Sequence, residues 1–250
     1  MIRIGRLNEE GVSEAIGFII MFALVMTGIG LITLYGYPML MKEQTNANIR
    51  NMERNMIVIQ NDMKSLSFKN VPYKETDIQV SGGALSAVDF TRFPQNKIDI
   101  SNLNNPVSFQ TGKLRYATDL GDAVVVLENG AVLKRYQSSS GSVMFAKPRW
   151  FLDNDLVSGK KTLIINLIRI KASDLSKIGI CTVQMKVTQL PTFSRDEPYP
   201  SPRLITVSYS KDINDEDDFT YAWSQFFPEF SVVEVDRVVV KAYEIEITAL

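Results

Sequence analysis

Hydrophobic and polar positions follow three different periods along this chain, and each period predicts a different element. Between Glu14 and Lys42 there is no alternation, because 27 consecutive residues carry no charge. As a helix rising about 1.5 Å per residue, such a span reaches roughly 40 Å, more than the ~30 Å hydrocarbon core of a bilayer. It also exceeds the roughly 15 apolar residues of an ordinary secretory signal. Residues 12–41 are therefore expected to form one membrane-crossing helix behind a short polar leader, residues 1–11. Gly17, Gly28, Gly30 and Gly36 punctuate the span, and Pro38 sits near its end. Glycines are frequent in membrane helices and also let two helices approach closely. A proline there marks a kink or the end of the first helical segment.

The next segment, residues 42–68, has a helical period. Ile49, Met52, Met56, Ile59, Met63 and Leu66 follow one another at spacings of three and four, with Asn, Glu, Arg and Asp on the other faces. This is an amphipathic helix with a narrow apolar seam. The seam is short for an independent coiled coil, and Met and Ile pack well against a sheet, so it is expected to lie against the chain's own β domain rather than a second helix.

From about residue 70 the period becomes two. Asn129-Gly130 between two β-rich runs signals a tight hairpin. Residues 162–170, TLIINLIRI, read as a buried strand. Cys181, Val183, Met185 and Val187 form one face of another strand, and Tyr243, Ile245 and Ile247 one face of a third. Residues 219–227, FTYAWSQFF, predict a short aromatic helix stopped by Pro228. The four prolines of residues 191–204 predict an extended, ligand-like surface or a stiff loop between strands, and the loop is preferred. The fold class is α+β, with a long N-terminal helix made of an anchor and its amphipathic extension. A mainly antiparallel β head over residues 69–250 follows, as a sandwich or a bent sheet.

Composition narrows the chemistry. The 27 basic and 28 acidic residues give a net charge of −1, so no basic field recruits nucleic acid. The chain has no histidine, which removes the commonest metal ligand and the usual general base near neutral pH. The single cysteine, Cys181, lies on an apolar face and cannot form an internal disulfide. No nucleophile stands in a catalytic setting, and an enzyme is not expected. The densest charge cluster is residues 212–218, DINDEDD. Asp212, Asn214 and Glu216 alternate as calcium ligands would, yet no glycine follows and Trp223 holds the twelfth place of the loop. Acidic residues also suit the N-terminus of the aromatic helix, with Asp215 or Asp217 as its cap. That reading is preferred, and no metal or other cofactor is expected.

The run Glu10-Gly11-Val12-Ser13-Glu14-Ala15-Ile16-Gly17-Phe18 resembles the start of archaeal type IV pilins and pilin-like surface proteins. Leu114 to Tyr116 and Val126 to Arg135 look like the head of an uncharacterised group of pilin-like membrane proteins. The resemblance implies cleavage by a prepilin peptidase between Gly11 and Val12, which makes Glu14 the third residue of the mature helix. It implies a structural subunit of a cell-surface filament, major, minor or tip, with an adhesive role open to it. The implied partners are the membrane, the pilus assembly machinery and other copies of the N-terminal helix. The implied location is the cell membrane, as a single span with the head outside, or an extracellular filament. Arg3 and Arg6 favour a cytoplasmic N-terminus, while Glu9, Glu10 and Lys42 weaken that bias. The alternative is a single-span anchored binding domain that never assembles.

Overall fold

A computed structural model describes residues 9–69, 71–121, 123–137, 139 and 141–250. The chain divides into two compact units, Met1–Ala47 and Asn48–Leu250. In the first, helix α1 (Glu9–Leu31) runs into a π turn (Ile32–Gly36), and helix α2 begins at Tyr37 and ends at Phe68. Pro38 does not end the helix. It has no N–H for the carbonyl of Leu34, and its ring crowds that carbonyl in a regular α-helix. The turn ahead of it is widened instead, with the Tyr37 N–H donating to the carbonyl of Ile32, five residues back.

The second unit takes in the seam of α2 and all the described strands. These are β1 (Tyr73–Val88), β2 (Lys97–Ser101), β3 (Val107–Gln110), β4 (Lys113–Thr118), β5 (Ala123–Glu128) and β6 (Ala131–Tyr136). They continue with β7 (Ser142–Ala146), β8 (Phe151–Asn154), β9 (Lys161–Ala172), β10 (Leu175–Leu204), β11 (Thr206–Ser210) and β12 (Glu234–Ala249). Two short helices, α3 (Thr220–Phe226) and α4 (Pro228–Ser231), lie between β11 and β12. Nine strands form one sheet in the order β7-β6-β5-β4-β1-β10-β12-β9-β8, and three form a second in the order β11-β2-β3. Among the described residues every pairing is antiparallel except that of β12 with β9.

The large sheet is buried on both faces. On one side Ile49, Met52, Met56, Ile59, Met63 and Leu66 of α2 pack on Val80, Leu85, Leu127, Val183 and Ile245. On the other side the three-stranded sheet and the aromatic helices cover Val124, Val126, Ile165 and Val240. This explains β5, whose residues 123–128 are all buried. Its odd and even positions face different cores, so it reads as a continuous apolar run rather than an alternation. Each seam residue is at most 2% exposed. Burying one such side chain contributes about 1.5–3 kcal/mol, which fixes the helix on the sheet without a partner chain.

Two turns depend on glycine. Asn129 and Gly130 have φ of 47° and 70°, the left-handed pair of a type I′ hairpin joining β5 to β6. In β1 the register shifts between Val80 and Leu85. Gly82 sits there at φ 65°, and a Cβ on Gly83 would meet the carbonyl oxygen of Ala117 at 2.2 Å.

One sequence expectation is corrected. Residues 191–204 are not a loop but the far half of β10, paired with β12 through several register shifts. Beyond Lys186 the strand has β12 on one side and no longer pairs with β1 on the other. An edge tolerates prolines because the missing N–H groups are not needed there. The aromatic helix is as expected: α3 ends at Phe226, with Phe227 as its C-cap, directly before Pro228, which opens the separate helix α4 at a first-turn position where no N–H is required.

Candidate functional site

The feature with the plainest functional meaning is the apolar helix. Phe18, Ile20, Met21, Leu24, Ile32, Leu34, Tyr35 and Leu40 are each at least 60% exposed, in a helix long and apolar enough to cross a membrane. Its threonines are satisfied internally, as hydrocarbon requires. Thr27 donates its hydroxyl to the Ala23 carbonyl at 2.7 Å, and Thr33 to that of Ile29 at 2.9 Å. Gly17, Gly28 and Gly30 have open space where a side chain would be, while Gly36 lies in the π turn with Ile32 3.6 Å from its missing Cβ. Glu14 is exposed at the start of the uncharged span. Gly11 and Val12 fall within α1, although their side chains are not among the described residues. Leader residues 1–8 lie outside the described residues altogether.

The seam is held in register by polar contacts at its edges. The Gln60 amide donates to the Gly130 carbonyl at 2.6 Å and to that of Lys147 at 3.0 Å. Glu53 pairs with Lys134 of β6 at 2.6 Å. The hairpin turn that receives Gln60 is itself tied across the sheet, since the Ile168 N–H donates to the Asn129 side chain at 2.8 Å. Helix, turn and central sheet therefore form one bonded unit.

The acidic segment serves the start of α3, as expected, through Asp218, and its other carboxylates do something the sequence reading missed. Asp212 accepts from the backbone N–H of Gln95 at 3.2 Å and of Asn214 at 3.0 Å, and no cluster able to hold a metal ion occurs among the described residues. Asp215 and Asp217 do not cap α3. A nearer acceptor, the Asp218 carboxylate, takes the Thr220 N–H at 2.9 Å. Asp215 and Asp217 are buried and reach β4, far back in the chain. Lys113 lies 2.7 Å from Asp215 and 2.6 Å from Asp217, and Arg115 grips Asp217 through Nε at 2.7 Å. Burial opposes ionisation of Asp217, but the Arg115 hydrogen bond and the Lys113 charge outweigh it and hold the carboxyl below its usual range. Beside this network, Glu128 is 1% exposed. Burial pushes its carboxyl up, although the Thr111 hydroxyl donates to it at 2.6 Å and the Tyr209 hydroxyl at 3.2 Å. The cluster clamps the segment before α3 onto the large sheet. Lys113, Arg115 and Glu128 carried no local sequence signal of this role. The one hint was that a lysine and an arginine occupy neighbouring same-face positions in an otherwise apolar strand.

Comparison with known proteins gives a family and little chemistry. The sequence matches the family of unknown function DUF7289 over residues 10–245, and the chain belongs to that family. It is similar to an uncharacterised protein of the archaeon Archaeoglobus fulgidus, 28% identical over 87 residues. That stretch spans 35% of this chain and 33% of the relative's own length. No solved structure matches.

Proposed function

We propose that this chain is a pilin-like structural subunit of an archaeal cell surface. It is held in the membrane by α1 and the start of α2, with its β head outside. The observation that carries the reading is an uncharged span between Glu14 and Lys42 that is helical, apolar enough to cross a membrane and unburied by the rest of the chain. A surface of that size and composition is satisfied by lipid or by identical helices. The Gly-Val-Ser-Glu-Ala-Ile-Gly run, with its resemblance to pilin leaders, supports processing before the helix rather than after it. The role is structural, and the prepilin peptidase and a filament assembly machinery are its implied partners.

Intact-mass analysis of protein extracted from membranes tests this. The expected mass lacks residues 1–11 only. Recovery of a chain that begins after Met41 would sink the reading, because the helix would then be a discarded signal. Assembly is tested separately by Gly28→Val with Gly30→Val. The expected result is loss of cross-linked multimers with the membrane fraction unchanged. Multimers that persist unchanged, or that never form in the parent, favour a single anchored domain.

A further inference from the structure

A cavity of about 300 Å³ opens where β3 of the small sheet meets β9, β10 and β12 of the large one. That volume is at the lower end of what small-ligand sites occupy. Two arginines line it, and each lies over an aromatic ring. The Arg169 guanidinium lies 4.3 Å from the Phe90 ring centre and 4.9 Å from that of Phe109, and Arg195 lies 5.1 Å from that of Phe193. A guanidinium over an aromatic face is attracted by the ring quadrupole and keeps its N–H groups for other partners.

Among the described residues, neither fork is matched by a carboxylate of the chain. Arg169 comes no closer to Glu244 than 3.8 Å, and Arg195 no closer to Glu197 than 3.7 Å. Both separations exceed a charged hydrogen bond, which is about 2.7–2.9 Å. Glu197 is in any case engaged by the Asn104 N–H at 2.9 Å and the Tyr199 hydroxyl at 3.0 Å. What the arginines do have is carbonyl acceptors: Gln110 takes Arg169 at 3.4 Å, and Asn105 takes Arg195. Burial also lowers Arg169, ahead of the opposing pull of Glu244 and Asp89. The side chains of both arginines are 26% exposed, partly withdrawn from water yet open to the cavity.

We propose that this cavity binds a small organic carboxylate, of the size and kind of a sugar acid, gripped between Arg169 and Arg195. A planar carboxylate takes two parallel N–H bonds from a guanidinium fork. Ser108 and Thr192 on the cavity wall supply hydroxyls for a polyhydroxylated body, and Val107 and Ala242 supply apolar wall. Glu244 adds an acceptor for a sugar hydroxyl. A free sugar acid and the uronic acid of a polysaccharide share this chemistry.

The test is calorimetric titration of the full chain in detergent with D-galacturonate, trigalacturonate, D-galactose and N-acetylglycine. Galacturonate is expected to saturate one site per chain, with galactose silent. Arg169→Gln and Arg195→Gln should each weaken it by at least about tenfold, the scale of a lost charged hydrogen bond. Lys186→Gln, in a surface pair with Glu246, should leave it unchanged. Melting followed by tryptophan fluorescence shows whether each variant is folded, and Arg195→Gln, on the edge half of β10, carries the test if Arg169→Gln unfolds. Trigalacturonate binding more tightly than the monomer identifies a polysaccharide source, and equal binding a free acid. No saturable galacturonate binding overturns the proposal, as does equal binding of galactose. Tighter binding of N-acetylglycine than of galacturonate overturns it in favour of a peptide carboxylate.

Discussion

Replacing Ile59 by alanine probes the layer that joins helix to sheet. Ile59 is 0% exposed at the centre of the seam. The substitution removes three carbons, about 2.4 kcal/mol at roughly 0.8 kcal/mol per buried methylene. Its neighbours Met56 and Met63 are fully buried on the same helix face, over the underside of a sheet that is packed again beyond. Collapse into the gap is therefore limited, and a cavity contribution of about 1–2 kcal/mol adds to the loss, for a total near 4 kcal/mol. The assay is urea unfolding of the full chain in detergent, read by tryptophan fluorescence. Trp150 and Trp223 are 6% and 0% exposed, and both lie in the core on the opposite face of the large sheet. If the two cores unfold as one, the tryptophans report the loss although neither touches the seam. A destabilisation under about 1 kcal/mol would refute the packing argument. So would a midpoint that shifts with protein concentration, because the seam would then be pairing chains. Ile49→Ala should cost a similar amount, since Ile49 is 2% exposed and belongs to the same core despite standing at the N-terminal end of the seam.

Further outcomes are expected. Gly83→Ala should destabilise by at least about 2 kcal/mol in thermal melts, because its Cβ collides with the backbone oxygen of Ala117, which has no rotamer to move to. Glu128→Gln should stabilise the head increasingly as pH rises above the ordinary carboxylate range. Burial raises the Glu128 carboxyl in the folded state, so the folded chain holds a proton the unfolded chain has released, and wild-type stability falls with pH through that window. Equal pH profiles for the two proteins would contradict it. Asp217, held below its usual range, acts in the opposite sense. Its contribution is present above the ordinary carboxylate pKa and is lost as pH falls through the depressed value, so Asp217→Asn should flatten the acid limb of a melting-temperature profile. A chelator should leave the melting temperature unchanged, and a drop of many degrees would restore Asp212, Asn214 and Glu216 as ligands.

Much of the fold was legible because it is written in local period. The seam residues Ile49 to Leu66 recur at helical spacing, and Asn129-Gly130 needs only its two neighbours to define a hairpin. The alternation of Cys181, Val183 and Met185 marked the correct buried face of β10. What failed was set by distant partners. Whether Pro198, Pro200 and Pro202 sit in a loop or on a sheet edge depends on where β1 begins, far earlier in the chain. The roles of Asp215 and Asp217 depend on Lys113 and Arg115, which no periodicity links to them. The strands of the small sheet, such as Lys97–Ser101 and Val107–Gln110, are too short to stand out from their surroundings. The arginine cavity draws its walls from four strands that lie well apart along the chain.

The proline-bearing edge of β10 has a consequence for how the head meets other molecules. An open strand edge is a template on which any neighbour's strand can grow. Pro198, Pro200 and Pro202 are all exposed and fall at every second position. They interrupt the row of donors that a foreign strand would have to read. The head is thereby made a poor seed for aggregation.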